Sequence, residues 1–266
     1  MSAIRQYSDC CATNGLVERP RAPYLPVMTE TILIAAILIP ALIIAIVFHE
    51  VAHGWTALAL GDPTAKEQGR LTLNPLRHVD PVGTLLVPGF LAMVGGPIFG
   101  WAKPVPVMQR RLSNPRFGMM AVAAAGPGTN FVLAAVAAIA FGMAAPLGAQ
   151  MAIGETGMST IVGPAGEVLP LVTGLFYFLL INVFIGMFNL LPIPPFDGSH
   201  IVEGAMPRRW VHHYEKLRPF GMLLFFGLIA LTWFAPGLGV LENTIGPPVN
   251  WMLGKYLGLA DAVAAA

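Results

Sequence analysis

Charge is scarce in this sequence. Asp, Glu, Lys and Arg make up 11% of its 266 residues, where soluble domains carry about 25%. That argues against a water-soluble fold. The net charge of +1 offers no basic surface to a polyanion, so no nucleic-acid partner is expected. Cysteine is scarcer still. Cys10 and Cys11 are adjacent, which gives no disulfide framework, and two thiols make no metal site of their own. The first 30 residues lack an apolar core. They carry Arg5, Glu18, Arg19, Arg21 and Glu30, so 1–30 reads as a polar tail and not as a signal peptide. Met28 stands directly before the first apolar run and is an alternative start. No internal repeat is visible, and the only low-complexity stretch is the alanine end.

What is present is apolar: 56% of the chain is hydrophobic. A membrane-crossing helix needs about 20 mostly apolar residues. Four uncharged stretches meet that length: 31–48 with its helical continuation to about 60, 117–154 (one span plus a loop), 168–196 and 219–241. A fifth, 81–102, is interrupted by Pro88, Gly89, Gly95, Gly96 and Pro97. Non-helical backbone at membrane depth must be covered by protein or water, so 83–100 reads as a re-entrant loop or β-hairpin. Gly69–Pro75 has strand-like alternation, and Trp101–Val107 reads as an extended edge in which proline is tolerated. The fold class expected is an all-α polytopic membrane protein, with about four transmembrane helices plus a re-entrant β-hairpin or loop. The embedded domain spans 31–241, and 242–266 is a C-terminal tail.

Lysine and arginine set the topology. They populate 61–82, 101–116 and 192–218 and are absent from 148–167. The first three segments are therefore expected in the cytoplasm and 148–167 outside. This holds only if 83–100 enters and leaves on one side. It also places the N-terminus outside, against Arg5, Arg19 and Arg21.

Three titratable side chains end the first apolar run, in "IVFHEVAHGW". His49, Glu50 and His53 form H-E-x-x-H. On a helix, positions i and i+4 share a face, so both imidazoles reach one cation with Glu50 beside it. A charge inside a bilayer costs about 3 kcal/mol on insertion scales, and a bound divalent ion offsets that cost. Zinc suits two imidazoles and needs a third protein ligand, with one position left for water. Asp197 is the sole carboxylate between Glu167 and Glu203. It follows three prolines in "NLLPIPPFDGSH", which present it on a turn. His200 is the alternative ligand.

H-E-x-x-H in the first core span, followed by N-x-x-P-x-P-x-x-D-G in a later one, resembles the site-2 protease family of intramembrane zinc metalloproteases. "NLLPIPPFDG" fits that second motif at every fixed position. "GDPTAKEQGRLTLNPLRHVDPVGT" and "GWAKPVPV" are similar to the compact bacterial and archaeal branch, and the resemblance covers about 31–235. It implies one zinc per chain, held by His49, His53 and Asp197, with Glu50 as general base. It also implies a multi-pass protein of the cell membrane that cuts peptide bonds within or near transmembrane segments of other proteins. The loop 148–167 is too short for the PDZ domain found in better-studied members. "AAAGPGTNFVLA" matches a family element that makes Asn130 a candidate for holding substrate or polarising its carbonyl, against a plain interhelical hydrogen bond. Asn189 is a second such candidate, while Asn182 reads as packing. His78, His212 and His213 lie in charged loops and read as solvated. The rival function is a polytopic transporter or channel with a metal site, since broken helices and midplane polar groups occur there too.

Overall fold

The computed structural model describes residues 27–87, 90, 93, 100–154, 156–216 and 218–266. Among the described residues, three helices are long and apolar enough to cross a membrane: α1 (Val27–Ala59), and two that follow the expected apolar stretches at Pro115–Ala144 and Pro170–Asn189. At 1.5 Å per residue the shortest of these is about 30 Å, the thickness of the hydrocarbon core. Exposed side chains such as Ile32, Ile39, Leu42 and Ile43 on α1 give it the apolar exterior that lipid covers.

Between α1 and the second long helix the chain is mostly irregular. Gly61, at φ +102°, makes the turn that ends α1, a conformation glycine adopts without a Cβ clash. Asp62 follows, fully buried. Its Oδ1 accepts from Thr64 N at 3.0 Å and from the Thr64 hydroxyl, and its Oδ2 accepts from Met108 N at 2.5 Å. A short helix, α2 (Thr64–Glu67), comes next. Gly69–Pro75 is not a strand. It turns at Gly69 (φ +63°) and runs into a single 3-10 turn, Pro75–Arg77, which Asn74 caps by accepting from Leu76 N. His78, expected in solvent, is buried and meets the carbonyl of Thr72 at 2.9 Å. Asp80 caps a six-residue π-helix, Pro81–Leu86. The expected hairpin around Gly95-Gly96-Pro97 lies outside the described residues.

Trp101–Val107 is extended, as its prolines suggest, but its edge is tied down. Trp101 N donates to Gly83 O, Lys103 N to His78 O, Arg70 Nη2 to Lys103 O, and Val105 N to Glu50 Oε2. Alternate residues of an extended chain present N–H and C=O to the same side, so 101, 103 and 105 all face the protein.

The second long helix, α3 (Pro115–Ala144), contains Pro127. A short antiparallel hairpin follows, β1 (Gln150–Ile153) and β2 (Ser159–Val162), with Met151 opposite Ile161. Within the loop expected outside the membrane, this is the one ladder among the described residues, and the sequence reading did not foresee it. Ile161 N donates to Thr173 Oγ1 and Tyr177 OH to Ser159 O. The buried Glu30 accepts from Thr156 Oγ1 at 2.6 Å. The third long helix, α4 (Pro170–Asn189), ends at the proline-rich turn.

Beyond it come α5 (Asp197–Ala205), α6 (Arg208–Glu215), α7 (Gly221–Phe234), α8 (Val240–Thr244) and α9 (Gly246–Ala264). The expected fourth span, 219–241, is shorter than its apolar length: α7 has 14 residues, about 21 Å, because Pro236 begins a separate 3-10 turn. The stretch 242–266 carries α9, whose Val249, Leu253, Leu257 and Ala260 are buried at the i, i+4 and i+3 spacings of one helix face. Contacts divide the chain into two compact units. Of the described residues, one holds those within 27–45, 131–184 and 248–266; the other holds those within 46–130 and 185–247.

Candidate metal centre

All four residues singled out for chemistry fall in the second unit. His49 and His53 stand one turn apart near the end of α1, and both are buried. Their rings meet edge to face, with centroids 4.6 Å apart. Glu50 is one residue beyond His49, so its side chain leaves the helix about 100° further round.

Asp197 reaches them from the other half of the unit, and local sequence explains how. Pro192, Pro194 and Pro195 stop α4 and prevent an immediate restart. Gly198 then lets the chain fold back on itself: a Cβ there would lie 2.2 Å from the carbonyl oxygen of Leu190. Phe196 fixes the turn between Phe188 and Phe225, with ring centroids 4.7 and 5.6 Å away. Asp197 is thus the first residue of α5. Its Oδ2 lies 3.0 Å from His49 Nε2 and 3.3 Å from His53 Nε2.

The three groups fit a metal. Each offers one ligand atom, and the set lies within 4.8 Å. Ligands about 2.0–2.1 Å from one ion in a tetrahedron lie about 3.3 Å from each other, close to the two nitrogen–oxygen distances found. The far nitrogen of each ring is occupied. His49 Nδ1 is 2.6 Å from Asn130 Oδ1, and His53 Nδ1 is 2.7 Å from the carbonyl oxygen of Val122. Carbonyl oxygens only accept, so each Nδ1 is the donor there, and Nε2 is the nitrogen of each ring that would face a metal ion. Beside them, Glu50 Oε2 accepts the N–H of Val105 at 2.8 Å, and Oε1 takes no hydrogen bond among the described residues.

The remaining expectations sort differently. His200 does not join the cluster; its Nδ1 faces Arg218 Nη2 at 3.4 Å and Glu203 Oε2 at 3.8 Å. Asn130 is fully buried and bonded to His49. Asn189 is half-buried, and its Nδ2 donates back to Ile185 O at 3.0 Å. Three groups at the site escaped the sequence reading. Val105 and Val122 contribute backbone atoms, which no residue type announces. Gly126, inside the quoted "AAAGPGTN", contributes empty space.

Comparison with known proteins gives the family. The sequence profile of peptidase family M50 matches residues 37–232, which include every member of the cluster. The chain is 35% identical to "Putative zinc metalloprotease YwhC" of Bacillus subtilis over 227 residues, 85% of this chain and 91% of that protein. It is 29% identical to "Putative zinc metalloprotease Rip2" of Mycolicibacterium smegmatis over 187 residues, 70% of this chain and 64% of that protein. No solved structure matches it. A profile match over most of the chain and a relative matched nearly end to end lead to one conclusion: the chain belongs to peptidase family M50, the site-2 protease family of intramembrane zinc metalloproteases.

Proposed function

We propose that His49, His53 and Asp197 hold the catalytic zinc and that Glu50 is the general base of a membrane-embedded endopeptidase. The observation that carries this reading is the convergence of His49 Nε2 and His53 Nε2 on Asp197 Oδ2, with Glu50 one residue away. Zinc at such a site supplies a Lewis acid that acidifies a water and offsets negative charge on a carbonyl oxygen. The protein supplies the rest. Glu50 takes the proton as the water oxygen bonds to the scissile carbonyl carbon. The C–N bond then breaks, and the same carboxyl returns the proton to the leaving nitrogen, so no proton is left on the enzyme. Val105 N–H holds Oε2 while this occurs.

The substrates proposed are transmembrane segments of other proteins, cut in or near the bilayer of the cell membrane. A helical substrate must expose its carbonyl before attack, and the backbone groups it frees need partners in a medium without water. The transporter reading is not favoured, because family membership and the names of both relatives point to hydrolysis. Elemental analysis of purified protein tests the ligand set: about one zinc per chain in the parent, and loss of it in His49→Ala, His53→Ala and Asp197→Ala. Parent-like zinc content in Asp197→Ala would remove Asp197 from the set.

A further inference from the structure

We infer that one face of α3, formed by Val122, Gly126 and Asn130, builds the seat of the two histidines, and that Asn130 is a positioning residue for His49. The inference rests on the ligand assignment proposed above. Residues 122, 126 and 130 are four apart and therefore lie along one side of the helix. Each meets the rings differently. Val122 gives a carbonyl oxygen to His53 Nδ1 at 2.7 Å, and Asn130 gives its amide oxygen to His49 Nδ1 at 2.6 Å. Gly126 gives room: a Cβ there would lie 2.5 Å from His53 Cε1 and Nε2 and 2.6 Å from His49 Nε2. No side chain fits at 126 while the ligand nitrogens stand where they do.

Asn130 has 0% exposure, which favours a role toward His49 over contact with a substrate. An amide suits the place for a physical reason. It selects the Nδ1–H tautomer, leaving Nε2 free to bind an ion, and it does so without placing another charge at membrane depth. His53 obtains the same service from backbone. His49 obtains it from a side chain.

The test is zinc affinity of the full-length protein, measured by competition with a chelating fluorophore, with circular dichroism confirming the metal-free fold. Asn130→Leu removes the acceptor and should weaken zinc binding about 10- to 100-fold. Asn130→Asp keeps an oxygen at the same reach and should bind at least as tightly as the parent. Gly126→Ala should lose affinity too, because the methyl displaces the ligand nitrogens. If Asn130→Leu does not fold, Asn130→Ala reads the same loss. Parent-like affinity in the variant lacking the acceptor overturns the inference, and so does equal weakening in Asn130→Leu and Asn130→Asp. A His49→Ala variant run alongside separates the two layers. Full zinc affinity there would sink the ligand assignment itself, whereas loss there with none in Asn130→Leu sinks only the positioning role.

Discussion

The backbone N–H of Val105 donates to Oε2 of Glu50 across 2.8 Å, so the extended segment before α3 grips the proposed base of the reaction. Read from sequence, 101–107 is an extended edge in which proline is tolerated. In the structure, the N–H groups of 101, 103 and 105 are already spent on Gly83, His78 and Glu50. Val105→Pro therefore acts on the base. It should lower kcat about tenfold, equivalent to roughly 1.4 kcal/mol, while leaving KM and zinc content unchanged. Val105→Ala keeps the N–H and should match the parent. Steady-state cleavage of a model transmembrane substrate separates the cases. A rise in KM with kcat intact would show that Val105 serves the substrate and not Glu50.

Gly198 makes a sharper steric demand. A methyl 2.2 Å from the Leu190 carbonyl forces the turn to open and carries Asp197 with it. Overpacking of this kind costs about 1–3 kcal/mol. Gly198→Ala should weaken zinc binding by about tenfold or more, read by the same competition assay. Parent-like affinity would mean that the turn absorbs the strain without moving Asp197.

Asp62 ties the end of α1 to Met108 and thereby fixes the far end of the segment that holds Glu50. Burial alone would raise its pKa. The hydrogen bonds from Thr64 and Met108 and the charge of Arg111 outweigh that and hold it below the usual carboxylate value. A carboxyl depressed in the folded state contributes stability that is fully present above its unfolded pKa of about 3.9 and is lost as pH falls through the lower folded value. Asp62→Asn should therefore destabilise the protein at pH 7 by about 1–3 kcal/mol, and the gap from the parent should close below about pH 4. Thermal midpoints in detergent across that range check it. A gap that is constant with pH would deny the charge its role.

How much of this the sequence disclosed follows from what each group contributes. His49, Glu50, His53 and Asp197 were legible because titratable side chains are rare in apolar surroundings and two of them share a helical spacing. Asn130 was visible as a residue, but its bond to His49 was not, since an amide in a helix is written the same way whatever it faces. Val105 and Val122 were invisible because a peptide group carries no side-chain signature. The spans of α1, α3 and α4 followed from apolar length. The 14-residue limit of α7 did not, because uncharged residues continue past the proline that stops it. The buried stripe of α9 was hidden by Asn250, Lys255 and Asp261 on the same helix.

The arrangement of positive charge yields a prediction of its own. In a background without Cys10 and Cys11, Met108→Cys and His212→Cys should react with an impermeant thiol reagent only when the cytoplasmic side is opened, and Met158→Cys should react in intact cells. Labelling of positions 77 and 108 from opposite faces would show that the segment between them crosses the membrane.

Glu50 is proposed to perform the chemistry while other residues hold the metal, and one comparison tests that division directly. Glu50→Gln removes the base and keeps the shape. Purified side by side with the parent, it should carry the same zinc, about one per chain, and cleave a model transmembrane substrate at least about 100-fold more slowly. Parent-like cleavage with zinc intact would contradict the account, and so would loss of zinc in step with activity, which would make Glu50 part of the metal's holding set.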